Sequence, residues 1–216
     1  RVVSFLLLML VPLGPSANPD ANTQHSSRLR IDDATIAQLQ AAMSSGRLSS
    51  EALTRHYIGR ILAFDQDGPG VNSVMELNPD ALAMARRADS LRRRGQVLGP
   101  LHGIPVLLKD NIDTGDRMQT TAGSFGLKGA PAPRDSTVAA KLRAGGAVIL
   151  GKTNLSEWAN FRSFNSTSGW SAVGGQTHNP YGLNRNPCGS SSGSGAAASA
   201  NFAAVSLGTE TDGSIV

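Results

Sequence analysis

Two serine-bearing turns in the last thirty residues, Pro187 to Val216, hold side chains whose types and spacing suit nucleophilic chemistry. The first is the tract Gly189 to Gly195 and the second is Thr211-Asp212-Gly213-Ser214. A Gly/Ser tract has three readings: a flexible linker, a phosphate cradle at a helix N-terminus, or a catalytic loop held beside a helix dipole that favours developing negative charge. The flanks oppose a linker, because Ala196 to Ala200 is a run of good helix formers and Val205 to Leu207 reads as a short buried strand. A phosphate loop would close on Gly-Lys-Ser/Thr, yet no lysine follows Lys152, and Gly193 and Gly195 precede alanines where a dinucleotide fingerprint needs another glycine. A catalytic loop remains, and it requires a base and a nucleophile from elsewhere.

Histidines offer little. His25 lies in a polar stretch and His56 in a helical pattern, so both read as surface residues, and His178 belongs to the Thr177-His178-Asn179-Pro180 turn. His102 precedes Gly103 without an acidic partner at a recognisable spacing; a Ser-His-Asp triad is spatial, and nothing in the sequence supports one. Cys188, the only cysteine, allows no disulfide within the chain and reads as a small packed residue. Lys109 is the better base. It closes the apolar run Ile104 to Leu108, with Asp110 and Asn111 behind it as turn residues. Alone, such a lysine would snorkel into water; beside the C-terminal loop it becomes a candidate.

These residues carry a resemblance. Gly99 to Asp113 (GPLHGIPVLLKDNID), Gly145 to Asn160 (GGAVILGKTNLSEWAN) and the terminal turns resemble, in order and separation, the amidase signature family of Ser-cis-Ser-Lys serine amidases, and within it the bacterial peptide amidase branch. The resemblance spans Ile31 to Val216. It implies Ser214 as nucleophile, Ser190 as the serine on a cis peptide, Lys109 as base, Ser191 as loop support, the backbone amides of Thr211, Asp212, Gly213 and Ser214 as oxyanion hole, and Ala159 near substrate. An unactivated serine is a poor nucleophile, so Ser214 must lose its proton during attack, and a neutral lysine can take it. A lysine brought from about 10.4 to about 7 needs roughly 4 to 5 kcal/mol of differential stabilisation, which burial can supply. Glycines 189, 193 and 195 would give the loop backbone its freedom. No cofactor or metal is implied; Asp110, Asp113 and Asp116 lack the spacing of a calcium loop. The partner implied is a small-molecule or peptide amide.

The elements that must position these groups alternate. Helices are predicted over Ala34 to Ser44, from a Ser49 or Ser50 cap to Phe64 with Leu53, Tyr57, Ile61 and Phe64 on one face, from Asn78-Pro79 to Arg94, and from Ser136 to Ala144. Strands are predicted over Val71 to Leu77, Ile104 to Leu108 and Ala147 to Gly151. This order indicates an α/β sandwich; the resemblance implies the amidase signature fold, a mixed central sheet flanked by helices, incomplete over 216 residues. Residues 31–216 read as the N-terminal part of one such domain, which by itself would fold poorly and be inactive. Residues 1–17, with the apolar run Phe5 to Leu13, read as a signal peptide and 18–30 as a polar lead-in, which implies a periplasmic or secreted protein without a stable membrane anchor.

The formal net charge is +4, and Arg86, Arg87, Arg92, Arg93 and Arg94 crowd one predicted helix. They spread around it with Asp89 among them, which is a solvated face and predicts no nucleic-acid partner. Two other readings stay open. One is the glutaminase subunit of a tRNA-dependent amidotransferase, which shares the triad but works in the cytoplasm. The other is an exported, noncatalytic binding module whose Gly/Ser tract is a linker.

Overall fold

Two mainly apolar segments, each with one lysine near its carboxyl end, pair at the centre of the fold. β1 (Val74–Leu77), β2 (Pro105–Lys109), β3 (Val148–Thr153) and β6 (Val205–Leu207) form one sheet in the order β1-β3-β2-β6. The computed structural model describes residues 30–129 and 131–216; the signal-like run, His25 and nearly all of the lead-in lie outside them. Every residue of β2 and β3 is buried, as strands covered on both faces must be. They run parallel, Lys109 opposite Thr153, while β6 joins β2 in parallel and β1 joins β3 antiparallel. α4 (Thr137–Ala144), capped by the Ser136 hydroxyl, lies between β2 and β3 in the chain and makes their crossover.

Alternation along β2 sorts the two faces. Leu107 packs with Leu150 against residues of α1 (Ile36–Ser44), α2 (Ser50–Arg60), α3 (Ala81–Arg93) and α5 (Ser192–Ser199). Val106 and Leu108 pack on the other face with Ile149, Met118 and Ala139 of α4. Lys109 is next in the alternation, so it points to the face on which α5 sits. The mixed sheet and flanking helices agree with the predicted architecture.

Four local expectations change. The helix begun by the Ser49 cap ends as a π-helical turn, Ile61–Gln66. The wider turn moves the buried row on by one residue, so Asp65 is fully buried and Phe64 is 44% exposed. Asp65 accepts from Ser73 N (2.7 Å), Ser73 Oγ (2.5 Å) and Val74 N (2.9 Å). Those bonds, with Val71 N and Asn72 N donating to Phe64 O and Asp65 O, hold 71–73 on the helix end, and β1 starts only at Val74. Asp65→Ala strands these buried donors and should cost about 3 kcal/mol in urea unfolding; a loss under about 1 kcal/mol would show that the π turn does not depend on the carboxylate.

The helix expected from Ala196 begins earlier, at Ser192, inside the Gly/Ser tract. β6 is half-buried rather than buried, since it lies at the sheet edge among the described residues. A small hairpin, β4 (Trp170–Ser171) and β5 (Gly175–Gln176), was not predicted. Of the arginine cluster, Arg86, Arg87, Arg93 and Arg94 are exposed, while half-buried Arg92 donates to Gln40 Oε1 and His102 O. Asp89 accepts from Ser50 N and Glu51 N and so binds the start of α2.

Candidate active site

Parallel strands end on the same side of a sheet, and chemistry in such sheets gathers at their carboxyl ends. β2 ends at Lys109, and β6 runs beside it into the segment 208–216 that carries Ser214. The third group, Ser190, lies in the loop before α5. Lys109 Nζ is 2.8 Å from Ser190 Oγ, and Ser190 Oγ is 2.8 Å from Ser214 Oγ. The Gly189-Ser190 peptide bond is cis. Lys109 and Ser190 are buried and Ser214 is 9% exposed. The structure therefore brings all three predicted groups into one hydrogen-bonded row.

Ser191 braces that row. Its Oγ lies 3.0 Å from Lys109 Nζ, donates to Thr209 O (2.9 Å) and accepts from Thr209 N (3.2 Å), while its backbone N donates to Ser214 O (3.2 Å). Ser194 ties α5 to both neighbouring strands through Thr153 Oγ1 (2.7 Å) and Leu207 O (2.8 Å). None of glycines 189, 193 and 195 has a positive φ, so backbone freedom is not why they are there. Space is the reason at two of them. A Cβ on Gly189 would stand 2.5 Å from Ser156 Oγ, and one on Gly193 2.4 Å from Ser73 O, whereas Gly195 faces open space.

Burial pushes the Lys109 amine down from its ordinary 10.5 to about 8. The shift is smaller than the one to about 7 expected from the chemistry, and no carboxylate is among its hydrogen-bond partners. The surroundings orient the neutral amine. Thr209 O, 3.2 Å away, can only accept, and Ser191 Oγ already donates its hydrogen to Thr209 O. The ammonium form donates to Ser190 Oγ, Ser191 Oγ and Thr209 O; once its proton is lost, hydrogens kept on the last two would leave the lone pair for Ser190 Oγ.

The turn 211–214 exposes Thr211, Asp212 and Gly213, the last at φ 63°. None of the four N–H groups of residues 211–214 donates to a protein acceptor among the described residues. Glu210 closes the turn from behind, accepting from Ile215 N (2.9 Å) and Val216 N (3.1 Å). Ser214, Gly213 and Gly189 line a cavity of about 390 Å³ together with Cys188. Cys188 is exposed rather than packed, because φ 64° and the bond from Ser192 Oγ to its carbonyl turn its side chain outward.

Ala159 lines a different cavity, about 360 Å³, with Asn111, Thr120, Ala122, Leu155 and Trp158. His102 is fully buried and bound on both ring nitrogens by backbone, Ala88 O and Leu98 N, so neither nitrogen is left for a serine among the described residues. His56 is half-buried against Asp32 (2.9 Å), and His178 is bonded to Leu183 O (2.8 Å). Sequence reasoning missed Thr209, the junction of Lys109, Ser191 and Asn111, because its part is played by its carbonyl as much as its side chain. It also missed Lys152, fully buried, although the cue that selected Lys109, a lysine closing an apolar strand, applied there equally.

The family model described as Amidase matches residues 52–216. The chain is 48% identical to a probable amidase of Arabidopsis thaliana over 213 residues, 98% of this chain and 41% of that protein. Against a glutamyl-tRNA(Gln) amidotransferase polypeptide of Acidothermus cellulolyticus it is 42% identical over 182 residues, 84% of this chain and 34% of that one. The X-ray structure of native peptide amidase from Stenotrophomonas maltophilia superposes with a TM-score of 0.83 at 57% identity, covering 85% of this chain and 37% of the other. The chain thus spans less than half the length of these relatives. With the family model matched over 165 residues and the peptide amidase sharing both fold and sequence, this chain belongs to the amidase family.

Proposed function

We propose that the intact protein is a serine amidohydrolase that converts a carboxamide to a carboxylic acid and ammonia through an acyl-enzyme on Ser214. The single observation that carries this is the row Lys109 Nζ, Ser190 Oγ, Ser214 Oγ, with two 2.8 Å steps ending on a buried lysine. As Ser214 Oγ attacks the carbonyl carbon, its proton passes to Ser190 and that of Ser190 to the Lys109 lone pair. The carbonyl π pair moves onto oxygen, and the N–H groups of residues 211–214 hold it, at about 3 kcal/mol per donor. Collapse breaks the C–N bond, and the proton returns through Ser190 to the departing ammonia. Water then repeats the sequence on the ester and frees Ser214. No step calls for a cofactor or metal.

A C-terminal peptide amide is the substrate this reading favours, from likeness to the peptide amidase. Ser214→Ala should lower kcat on such an amide by about 10⁴-fold or more with KM within threefold, read as ammonia release; near-native turnover would refute the assignment. The identity to the amidotransferase polypeptide favours a second reading, a glutaminase component, and ammonia release from glutamine only with a partner protein present would select it. Export from the cytoplasm belongs to the first reading, and cell fractionation tests it. A flexible linker over 189–195 fits poorly, since Ser190, Ser191, Ser192 and Ser194 are all buried.

A further inference from the structure

The sheet end that carries Lys109 carries a second fully buried lysine, for which this chemistry has no use. Lys152 stands opposite Leu108 on β3, so it lies on the face of the sheet away from Lys109. Its Nζ donates to Ile112 O (2.8 Å) and Thr120 Oγ1 (2.8 Å), both in the loop that leaves Lys109. Asp110, 2% exposed, closes the same loop. Its carboxylate accepts from Thr121 Oγ1, Thr121 N (3.1 Å) and Gly123 N (3.4 Å), and its carbonyl accepts from Ala122 N (3.0 Å). Burial raises the Asp110 carboxyl and lowers the Lys152 amine, each opposed by the other's charge. Loop 110–123 is thus bound through its middle by one buried ion and folded back by another.

What the loop presents is Asn111. This residue is exposed, yet its Nδ2 donates to Thr209 Oγ1 (2.9 Å). Thr209 is the residue whose carbonyl takes both Lys109 Nζ and Ser191 Oγ, and the turn bearing Ser214 begins two residues on, at Thr211. A side chain that fixes Thr209 therefore fixes the distance between base and nucleophile.

We propose that Lys152 and Asp110 are positioning residues which, through loop 110–123 and the Asn111 amide, hold Thr209 and the Ser214 turn in register with Lys109. The inference rests on the serine amidohydrolase reading of this site. Misplacement by about 1 Å costs on the order of 100-fold in rate, so the effect falls on kcat and leaves KM for a small primary amide nearly unchanged.

The test compares Asn111→Ala, Lys152→Met and the double variant in the intact protein, by kcat and KM and by the rate at which phenylmethanesulfonyl fluoride labels Ser214. Asn111→Ala, at an exposed position, should keep the wild-type Tm and lower kcat about 100-fold, with KM within threefold. Lys152→Met should lower kcat at least as much, and the double variant should lose no more than the worse single, because both act along one route. Full kcat in Asn111→Ala overturns the proposal even if Lys152→Met does not fold, and so does multiplication of the two losses in the double variant. A wild type that neither labels at Ser214 nor hydrolyses amides would instead remove the underlying reading; labelling and turnover in the wild type with unaltered kcat in the variants would remove the positioning role alone.

Discussion

Lys109→Met is expected to lower kcat/KM by about 10⁴-fold or more while leaving the fold at least as stable as wild type at pH 7. The loss follows from geometry. The thioether sulfur of methionine is far too weak a base to take the proton relayed from Ser190, and the variant loses the 2.8 Å contact of the amine to Ser190 Oγ. The stability result follows from burial. The folded-state amine sits near 8 instead of 10.5, so below about pH 8 both folded and unfolded chains carry the proton and folding must bury an ammonium ion.

Between pH 8 and 10.5 the unfolded chain holds the proton and the folded one does not, so wild-type stability rises with pH through that window. At about 1.4 kcal/mol per pH unit, the rise amounts to roughly 3 kcal/mol. Methionine removes it, so any advantage of the variant at pH 7 should shrink by about that amount by pH 10.5, in denaturant titrations at several pH values. The same amine sets the rate profile: wild-type kcat/KM should climb about tenfold per pH unit up to about 8 and then level. A flat profile from pH 6 to 9, or a variant whose stability tracks wild type at every pH, would sink the assignment of Lys109 as a buried base.

The second large effect is Gly193→Ala, which should cost about 3 kcal/mol of stability and about 100-fold in kcat. A methyl group there would meet Ser73 O at 2.4 Å, Asn154 O at 2.5 Å and Asn154 N at 2.6 Å, all backbone atoms that cannot rotate aside. Relief requires the first turn of α5 to move off the end of β3, and that turn directly follows Ser190 and Ser191. Gly195→Ala is the matched control, two residues on in the same helix with nothing within 4 Å of the added carbon. It should be neutral or stabilise by up to about 1 kcal/mol through helix propensity. Equal behaviour of the two alanine variants by thermal melting would show that close approach is not what glycine serves at 193.

Local pattern made much of this legible. Apolar runs located β2 and β3, Ser136 announced α4, and Ser49 capped α2, because these signals depend on neighbours a few residues away. The site was legible as a list of residues through its resemblance to a family. Lys109 and Ser190 are separated by 81 residues, and no local signal joins them. Where the sequence misled, a tertiary partner had overridden the local preference. Asp65 pulled residues 73 and 74 onto a π turn and shortened β1, and the backbone of Asn154 drew Gly193 into α5 earlier than alanine content suggested. Lys152 went unremarked because a buried lysine and a snorkelling one look the same until the surrounding loop is known.

Sequence by itself determined the alternation of helices and strands, the two serine turns, and the lysine that closes β2, since propensity and period are properties of the residues in order. Only the tertiary structure decided that Lys109 is dry and stands 2.8 Å from Ser190 Oγ. That outcome depends on Thr209 O, Ser191 Oγ and the packing of α5 against the sheet, groups that meet in space because β2 and β6 run parallel. A lysine's charge state is set by the water it loses and the acceptors it gains, and both are counted only after the chain has folded.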